Sequence, residues 1–437
     1  MDTDVLISGG GIAGLTLALK LVSQGVRVTL LEKRVRESVM YKGELLQPKS
    51  IEILDRLGVL PAVLAQGWRI PRTLIYERTR SAKGANGAGL PAALDYEVLP
   101  EPYNYALMIP HDSLKAIVLA PALQSGLLRF LRPAQIVRMG ERRGEVMLSV
   151  GGEQVPLRAS FLIGAEGKFS AFRESIDVAV KKQQYNHQFF TVTIGRPESL
   201  RDATVISEGG RFIGLFPLPD NKVRTVLMLR KGDYQRLKGE GIGAFHREYA
   251  QLAPMLREHV EQLQDWQEIQ LMVPLRLEAE RYVNSACVLI GDAAHSVHPM
   301  AGEGMNMAIQ DADILGSLLA WMVRSGKHDE ATLQWFERIR KPRAMFVSAL
   351  SHMSALAYSY PIGMAHAIRA HTIRTIAKHP YLMKRYMVNI SGLGMAKETL
   401  VDRVMQMGLW SPDRVPNTLQ TPIDWFSEET DYPWLYQ

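Results

Sequence analysis

Residues 4–34, DVLISGGGIAGLTLALKLVSQGVRVTLLEKR, predict a strand, a glycine-rich turn, a helix and a second strand. Gly9, Gly11 and Gly14 have the G-x-G-x-x-G spacing. In this pattern the first glycine permits a tight turn, the second lets the backbone approach a pyrophosphate, and the third lets helix and strand pack closely. The helix N-terminus would face the phosphates. Glu32 stands at the tip of the second strand, where a carboxylate binds ribose hydroxyls. The stretch predicts a dinucleotide site.

The context of this motif favours a dinucleotide site over an ordinary glycine-rich turn. The motif follows a strand, opens a helix and ends in an acidic residue, as the fingerprint requires. Lys33 follows that acid directly and joins the candidate cofactor contacts. The motif alone does not separate NAD from FAD, and two further motifs bear on that choice.

Two more segments predict a buried strand that breaks into a polar, glycine-containing loop. They are FLIGAEGKFSAFRE at residues 161–174 and ACVLIGDAAHSVHPMAGEGMNMAIQDAD at residues 286–313. Together with the N-terminal fingerprint, these segments form three motifs in a fixed order. This order resembles the single-component FAD monooxygenases of the p-hydroxybenzoate hydroxylase type (group A). The resemblance extends from about Asp4 to the helix after Asp313. The candidate site residues in these two loops are Glu166, Gly167, Gly291, Asp292, Pro299, Gly302, Gly304, Met305 and Asn306.

This resemblance implies a role for each part of the third motif. Asp292 would accept hydrogen bonds from the ribityl hydroxyls of FAD, and Pro299 would rigidify the loop that passes the flavin ring. Gly302 and Gly304 would let backbone N–H groups approach the pyrimidine edge of the ring. The helix from about Met305 would direct its positive end at that edge and stabilise the negative charge of reduced flavin. Asn306 would either hydrogen-bond the ring or close the turn.

The second motif departs from the family pattern at one position. Glu166 stands where the family usually has Asp, which keeps the charge and adds one methylene of reach. The family assigns this segment to FAD and NAD(P)H contacts. The substitution leaves the nicotinamide contact undetermined, but the flavin contact is still expected. Ser170 and Arg173 are either further site residues or a helix cap and a surface charge.

Two other segments carry candidate contacts. YKGELLQPKSIEILDRLGV, at residues 41–59, is locally similar to squalene epoxidases, and Lys42 stands near the position where a relative's arginine meets the FAD phosphate. The helix in this segment is otherwise simply core. MIPHDSLKAIV, at residues 108–118, places His111 where arginine is common in the family. His111 would contact the flavin ribityl or pyrophosphate group, or it is a surface histidine.

The expected fold is α/β, with a Rossmann-like FAD-binding domain, an inserted β-sheet substrate domain and a helical C-terminal region. We predict the FAD-binding domain at residues 1–69, 106–181 and 276–343, the substrate domain at 70–105 and 182–275, and the helical region at 344–437. Alternating strands and a turn at Pro219-Asp220-Asn221 support the inserted sheet. Residues 67–99 are expected to hold one strand and a mobile Gly/Ala-rich loop.

Cysteine content, charge distribution and the N-terminal sequence limit the classes of protein to which this chain can belong. The lone Cys287 lies in an apolar run, which predicts a buried strand residue and a reducing compartment. The formal net charge is +6, and residues 344–397 contain no acid and six cations: Arg369, Arg374, Lys378, Lys384, Arg385 and Lys397. The rest of the chain is therefore balanced, and we expect no nucleic-acid partner. The N-terminus lacks a secretory pattern, so we expect a cytoplasmic protein.

The uncharged run at 344–368 is long enough to suggest a membrane span, but its serines, His352 and Pro361 make it too polar and broken. Three interpretations stay open. The run is a helical lid over an apolar pocket; or, with the basic stretch after it, it meets a membrane surface peripherally; or it is a packed helix followed by a solvated basic face.

The resemblance implies a monooxygenase that uses NAD(P)H, with NADPH favoured, and O2. Oxygen would add at the flavin C4a carbon, and the resulting hydroperoxide would hydroxylate or epoxidise a small lipophilic aromatic or polyketide/isoprenoid-like substrate. No catalytic base and no metal site are predicted. The alternatives are a prenyl reductase or a halogenase of the same fold, or a non-catalytic flavoprotein scaffold. Only Trp68-Arg69-Ile70-Pro71 resembles the halogenase motif, without its first tryptophan.

Overall fold

The computed structural model describes residues 2–35, 44–78, 90–359, 363–410 and 421–436. Lys42 and the Gly/Ala-rich loop at 79–89 lie outside these ranges. The strands are β1 (Thr3–Ser8), β2 (Val28–Leu31), β3 (Leu45–Leu46), β4 (Trp68–Ile70), β5 (Arg72–Arg78), β6 (Ala92–Asp95), β7 (Ala106–Met108), β8 (Leu128–Leu131), β9 (Ala134–Met139), β10 (Glu145–Val150), β11 (Glu153–Gly164), β12 (Val180–Gln184), β13 (His187–Gly195), β14 (Ala203–Glu208), β15 (Arg211–Leu218), β16 (Lys222–Arg230), β17 (Gln270–Met272), β18 (Leu275–Ala279), β19 (Val283–Asn284), β20 (Cys287–Leu289), β21 (His295–Ser296), β22 (Gly394–Met395) and β23 (Asp424–Trp425).

The helices are α1 (Ile12–Val22), α2 (Pro48–Arg56), α3 (Leu60–Ala65), α4 (His111–Gln124), α5 (Ala171–Ser175), α6 (Asp233–Glu240), α7 (Ile242–Leu252), α8 (Arg257–Val260), α9 (Gly304–Arg324), α10 (Glu330–Ser359), α11 (Gly363–Lys378), α12 (Pro380–Ser391), α13 (Leu400–Gln406) and α14 (Glu428–Asp431).

The main sheet has the strand order β19-β20-β11-β1-β2-β8, and every pairing from β20 to β8 is parallel. Its central strands are apolar at successive positions, as Val5, Leu6 and Ile7 are, because helices cover both faces of a parallel sheet. Helices α1 and α9 pack on each other against this sheet. Cys287 is buried in β20, as predicted, and burial raises the pKa of its thiol to about 11.

The second large sheet has the order β17-β13-β16-β15-β14-β5-β6. Its two faces bury different clusters because side chains alternate along each strand. Phe190 and Leu227 pack with helices α6, α7 and α8, whereas their neighbours Phe189 and Met228 face the opposite way. The predicted turn between β15 and β16 is present, and both Asp220 and Asn221 have positive φ there.

Residues 67–99 hold three strands instead of the expected one. Pro71 separates β4 from β5, and the two strands belong to different sheets. Proline has no N–H for a ladder hydrogen bond, so the chain leaves one sheet at that point and enters the other. The prediction of a single strand was wrong because it did not divide the stretch at Pro71 and did not recognise β6 after the loop.

The C-terminal helices cover the second sheet and bring two of the six predicted basic side chains inside. Arg369 is buried and forms an ion pair with Glu77 at 2.7 Å, and Arg385 is buried and lies 3.4 Å from Asp402. The interpretation of a solvated basic face was therefore wrong for Arg369 and Arg385, because acidic partners elsewhere in the chain stabilise their buried charges. Within the described ranges, none of the helices combines the length and apolar character needed to cross a membrane.

Candidate functional site

The loops of the three sequence motifs and the tip of β2 lie side by side. Strands β20, β11, β1 and β2 are consecutive neighbours in the parallel sheet. Their carboxyl ends lead into Asp292, Glu166, Gly9 and Glu32, respectively. Parallel strands end at the same edge, and ligands of such sheets bind outside that edge. The tertiary structure thus brings segments almost 300 residues apart into one cleft.

The first glycine turn has the geometry of a phosphate site. Gly9 has φ +119°, and a Cβ there would lie 2.4 Å from the Ala165 oxygen. A Cβ on Gly14 would lie 2.0 Å from the Gly9 oxygen. At Gly11, in contrast, a Cβ would meet none of the described residues within 4 Å. Gly9 and Gly14 are needed for packing, while the space beside Gly11 is open to a ligand.

The N-terminus of α1 faces this open space without a side-chain cap. The first N–H groups of a helix have no partner inside the helix, so an uncapped end attracts anions. Glu32 accepts hydrogen bonds from the backbone N–H groups of Gly10 at 3.1 Å and Arg34 at 2.8 Å. These bonds orient the Glu32 carboxylate beside the turn. Lys33 is exposed next to it.

Asp292 lies at the floor of the cleft. Its carboxylate makes no hydrogen bond within the described part of the chain and keeps some accessible surface although protein surrounds it. Burial raises the pKa of Asp292, while the charges of Lys168 and His295 act in the lowering direction. Buried carboxylates normally have hydrogen-bond donors. The missing donor is of the kind that a ligand hydroxyl supplies.

Two glycines and one side-chain amide determine the shape of the loop before α9. Gly302 has φ +67°, and a Cβ on Gly304 would meet only the Asp292 Oδ1, at 4.0 Å. The Asn306 Oδ1 accepts from the Gln47 N–H at 2.8 Å, and its Nδ2 donates to the oxygens of Leu45 and Gly302. Of the two roles left open for Asn306, its side chain therefore closes the turn.

Glu166 is committed to protein contacts. Its carboxylate accepts hydrogen bonds from the hydroxyls of Ser8 and Ser170 and from the Phe172 N–H at 2.8 Å. Ser170 caps α5, as one of the two interpretations held. The surface-charge interpretation of Arg173 was wrong, because it is buried and donates to the backbone oxygens of Ala293 and Lys168. This second motif joins β1 and α5 to the third motif.

The remaining predicted residues have varied surroundings. Pro299 begins a short 3-10 turn, Pro299–Ala301, and Gly291 has φ +58° between α1 and α9. The Met305 side chain is buried in the main core, so only its backbone faces the loop. His111 is the half-exposed first residue of α4. Gly167 has φ +87°, and a Cβ there would meet nothing within 4 Å.

Sequence reasoning missed a buried ionic network behind the third motif. Asp311 accepts hydrogen bonds from the Gly291 N–H, from His295 Nε2 at 2.7 Å and from Arg340 at 2.7 Å. Burial opposes ionisation of this acid, but the charges of His295 and Arg340 lower its pKa to about 2. The polar pair Asp311 and Asp313 inside an otherwise apolar helix was the available signal. This network holds the turn of Gly291 in place.

A second missed feature is a pair of buried histidines between the cleft and the second sheet. His187 begins β13, and His298 precedes the loop of Pro299; their Nε2 atoms are 2.7 Å apart. The Met300 N–H donates to His298 Nδ1. His298 therefore carries its proton on Nε2 and donates it to His187, whose own proton lies on Nδ1. Burial lowers the pKa of His187 to about 4 and that of His298 to about 3, so both are neutral at pH 7.

Above the loop lies an apolar and aromatic surface. The inward face of the second sheet contributes Phe189, Phe212 and Met228, and the loop itself contributes Met300 to the same cluster. The C-terminal helices close the cluster with further side chains, namely Tyr358, Met383, Tyr386 and Met387. A flat ring lying on the loop before α9 would thus face an apolar space.

These groups fit FAD as a bound cofactor. The open side of Gly11 and the uncapped α1 suit a pyrophosphate, the unpartnered Asp292 suits ribityl hydroxyls, and the N-terminus of α9, which has no side-chain cap, suits the anionic edge of a reduced ring.

Comparison with known proteins agrees with this geometry. Residues 2–351 match the family model described as "FAD binding domain". The chain is 28% identical over 346 residues to 6-methylpretetramide 4-monooxygenase of Streptomyces rimosus, covering 78% of this chain and 80% of that protein. It is 24% identical over 406 residues to ubiquinone hydroxylase UbiL of Rhodospirillum rubrum, covering 90% of each.

Solved structures show the same fold. PqsL of P. aeruginosa, in complex with 2-aminobenzoylacetate, superposes with a TM-score of 0.74 at 23% identity, covering 84% of this chain and 98% of that one. The p-nitrophenol 4-monooxygenase PnpA of Pseudomonas putida gives a TM-score of 0.75 at 18% identity and covers 89% and 98%. With a family match over most of its length and a cleft whose groups fit the cofactor, this chain belongs to the FAD binding domain family and is a flavin-dependent monooxygenase.

Proposed function

We propose that this enzyme hydroxylates a small, lipophilic, aromatic or polyketide-like substrate with O2 and NADPH. The observation that carries the proposal is the continuity between the cleft and the aromatic face of the second sheet: Met300, from the loop before α9, packs in one cluster with Phe189 and Phe212. An aromatic substrate fits between those surfaces. Aromatic side chains stack on aromatic rings, so this lining favours binding of an aromatic substrate over an alkene chain.

Different residues along the cleft bind different parts of FAD. We assign Gly11, the N-terminus of α1 and Glu32 to the adenine half of FAD, and Asp292 to its ribityl chain. When bound and reduced by NADPH, FAD supplies the activation of O2 for oxygen transfer. The N-terminus of α9 stabilises negative charge on the reduced ring. The second sheet and the C-terminal helices exclude water, which would otherwise divert the reaction toward hydrogen peroxide.

Oxygen labelling tests this proposal. Purified holoprotein, NADPH and 18O2 are incubated with anhydrotetracycline, rifampicin and 2-aminobenzoylacetate, and products are analysed by mass spectrometry. These compounds come from the names of similar proteins: anhydrotetracycline monooxygenase, rifampicin monooxygenase and the PqsL complex. One labelled oxygen in a product supports the hydroxylase. Substrate-dependent NADPH oxidation that yields a saturated or halogenated product would contradict it, as would a flavin that no NAD(P)H reduces.

A peripheral contact with anionic lipid is a finer part of the proposal. Helices α10 and α11 pack together and expose Met353, Met364 and Ile368, and Arg374 and Lys378 are exposed further along α11. Apolar side chains beside cations favour an anionic membrane surface. The test is flotation with vesicles of phosphatidylcholine and 30% phosphatidylglycerol. We expect binding that Met364→Ser/Ile368→Ser weakens; equal flotation of both proteins, or none, would exclude this contact.

A further inference from the structure

Two tyrosines on the C-terminal helices have an unusual environment. Tyr358, in α10, and Tyr386, in α12, keep accessible surface although protein surrounds their hydroxyls. Neither hydroxyl makes a hydrogen bond within the described part of the chain. A buried Tyr O–H usually finds a partner. These hydroxyls therefore face accessible space, and a bound molecule would supply the partner that they lack within the described residues.

The surroundings place that space above the loop before α9. Tyr358 packs edge-on against Phe212 of the second sheet, with ring centroids 5.3 Å apart. Tyr358 and Tyr386 pack against the same hydrophobic cluster as Met300 of that loop. Tyr96 belongs to this cluster too and donates its hydroxyl to the Gln47 Oε1 at 2.9 Å, while the Gln47 N–H donates to Asn306, which closes the loop. The two hydroxyls thus belong to the same space as the proposed flavin ring.

Two arginines beside this space are already paired. Arg369 stacks on the Tyr358 ring at 4.4 Å, but its guanidinium is bound by Glu77, Ser207 and the Ala357 oxygen. On the sheet side, Arg224 donates from Nε and Nη2 to the two carboxylate oxygens of Glu44, at 2.8 and 2.9 Å. These two guanidinium groups are therefore already bound by carboxylates of the protein.

Burial disfavours a negative charge on Glu303. Its side chain is buried, one carboxyl oxygen has no hydrogen-bond partner among the described residues, and burial raises its pKa well above the ordinary value while the nearby Gln47 amide acts in the lowering direction. A negative charge there would be costly because no cation within the described part of the chain pairs with this carboxyl group. A second negative charge, carried in by an anionic substrate, would meet the same penalty.

We propose that Tyr358 and Tyr386 are specificity-determining residues that hydrogen-bond hydroxyl or carbonyl oxygens of an uncharged aromatic substrate. This inference rests on the proposed function and narrows its substrate class. Both tyrosines lie beyond residue 351, where the match to the family model ends. The common FAD-binding part therefore provides the oxidation chemistry, and the C-terminal helices of this chain select the molecule. Aromatic and methionine walls take the rings, and the two hydroxyls fix their orientation.

The test measures binding to the oxidised holoprotein without NADPH, by quenching of flavin and tryptophan fluorescence. The probes are 1,8-dihydroxyanthraquinone, anthracene, which has no oxygen atom, and anthraquinone-2-carboxylate. We expect the dihydroxy compound to bind best and the carboxylate worst. Tyr358→Phe and Tyr386→Phe should each weaken binding of the dihydroxy compound about 5- to 20-fold, since each removes a hydrogen bond, and should leave anthracene binding within about twofold. Tyr381→Phe is the matched control, because its hydroxyl on the same helix α12 bonds Asp402 instead.

Wild-type preference retained in both variants, tightest binding of the carboxylate, or no binding of any probe would overturn the proposal. Oxygen incorporation is measured separately, so the two failures are distinguishable. Preferential binding without any oxygen transfer would reject the hydroxylase while leaving recognition by the tyrosines in place. Oxygen transfer with unchanged substrate selectivity in both Phe variants would support the hydroxylase and reject recognition by the tyrosines.

Discussion

Asp292 and Glu166 are both acids that follow a strand of the parallel sheet, yet their carboxylates have opposite surroundings. Glu166 accepts three hydrogen bonds from Ser8, Ser170 and Phe172, whereas Asp292 accepts none in the described structure. A buried carboxylate without donors destabilises the empty protein and is available to a ligand. Residue type alone therefore does not distinguish a structural acid from a binding acid; the partners do.

Replacement of Asp292 by Ala should have opposite effects on the apoprotein and on its cofactor affinity. We expect an unchanged or slightly higher free energy of unfolding of the apoprotein, because an unpartnered carboxylate is removed. FAD affinity should fall about 10- to 100-fold, because the ribityl hydroxyls lose an acceptor. Chemical denaturation and FAD titration by fluorescence measure the two quantities. The control is the exposed Glu174→Gln, and FAD affinity equal to wild type in Asp292→Ala would contradict this role.

The His187–His298 pair predicts a pH dependence. Burial lowers both folded-state pKa values, to about 4 and about 3, below the unfolded value near 6.5. The unfolded chain therefore binds more protons in this range, and the contribution of the pair to the free energy of unfolding falls as pH decreases from about 6.5 toward 4. Discounted for solvent screening at His187, the loss between pH 7 and pH 5 is about 1–3 kcal/mol.

The check compares denaturation of wild type with that of His187→Gln/His298→Asn at pH 7 and pH 5. The difference between the two proteins matters, because Glu303, whose folded-state pKa is raised, contributes with the opposite sign over part of this range. We expect a smaller loss of stability in the variant. An equal loss in both proteins would mean that the histidines titrate normally in the fold.

At the scale of elements, the turn between β1 and α1 separates packing from ligand binding. A side chain at Gly9 would clash with the Ala165 oxygen and would need a positive φ, while Gly11 has φ −76° and open space. Two glycines of one motif, two residues apart, therefore have different physical duties. The motif spacing predicts both positions, and the local geometry explains why each is glycine.

Gly11→Ala and Gly9→Ala should therefore behave differently. Gly11→Ala should change the free energy of unfolding of the apoprotein by less than about 0.5 kcal/mol and weaken FAD binding at least about tenfold, since the methyl group occupies the approach of the pyrophosphate. Gly9→Ala should lower the free energy of unfolding by about 2 kcal/mol or more. Denaturation and FAD titration of both variants provide the measurement. Normal FAD affinity in Gly11→Ala would place the pyrophosphate elsewhere.

At the scale of the whole molecule, the last described segment ties the C-terminus to the FAD-binding part. Asp431 is buried and forms ion pairs with Lys49 at 3.1 Å and Arg343 at 2.6 Å. The next residue, Tyr432, donates its hydroxyl to Asp313 at 2.5 Å, and Asp313 also binds Lys20 and Arg56. These contacts connect α14 with α2, α9 and α10.

Asp431→Asn should destabilise the whole molecule. It leaves Lys49 and Arg343 with less compensation for their buried charge, and breaking such a pair costs about 3–5 kcal/mol. We expect a decrease of about 2–4 kcal/mol in the free energy of unfolding, since Asn retains part of the hydrogen bonding. The control is Asp233→Asn, an acid in a surface pair with Arg236, which should change stability by less than about 1 kcal/mol. A similar, small effect of both substitutions would show that the C-terminal segment is not anchored by Asp431.

The sequence by itself determined the local features of this protein. Gly9, Gly11, Gly14 and Glu32 are close in the chain, and their spacing follows from backbone sterics, so a strand–turn–helix and a dinucleotide site were predictable. The order of the three motifs likewise identified the family. The apolar run around Cys287 also predicted β20, and the Pro-Asp-Asn sequence predicted the turn at Asp220.

Only the tertiary structure decided which polar groups are paired and which remain for a ligand. The partners of Glu166, Arg173 and Asn306, the histidine pair and the covering of Tyr358 and Tyr386 all depend on segments far apart in sequence. Such contacts arise when packing, driven by apolar burial, brings separate elements together, and a buried polar group takes the nearest available partner. The chain order carries no distance between those partners, and for that reason their identities emerged from the fold alone.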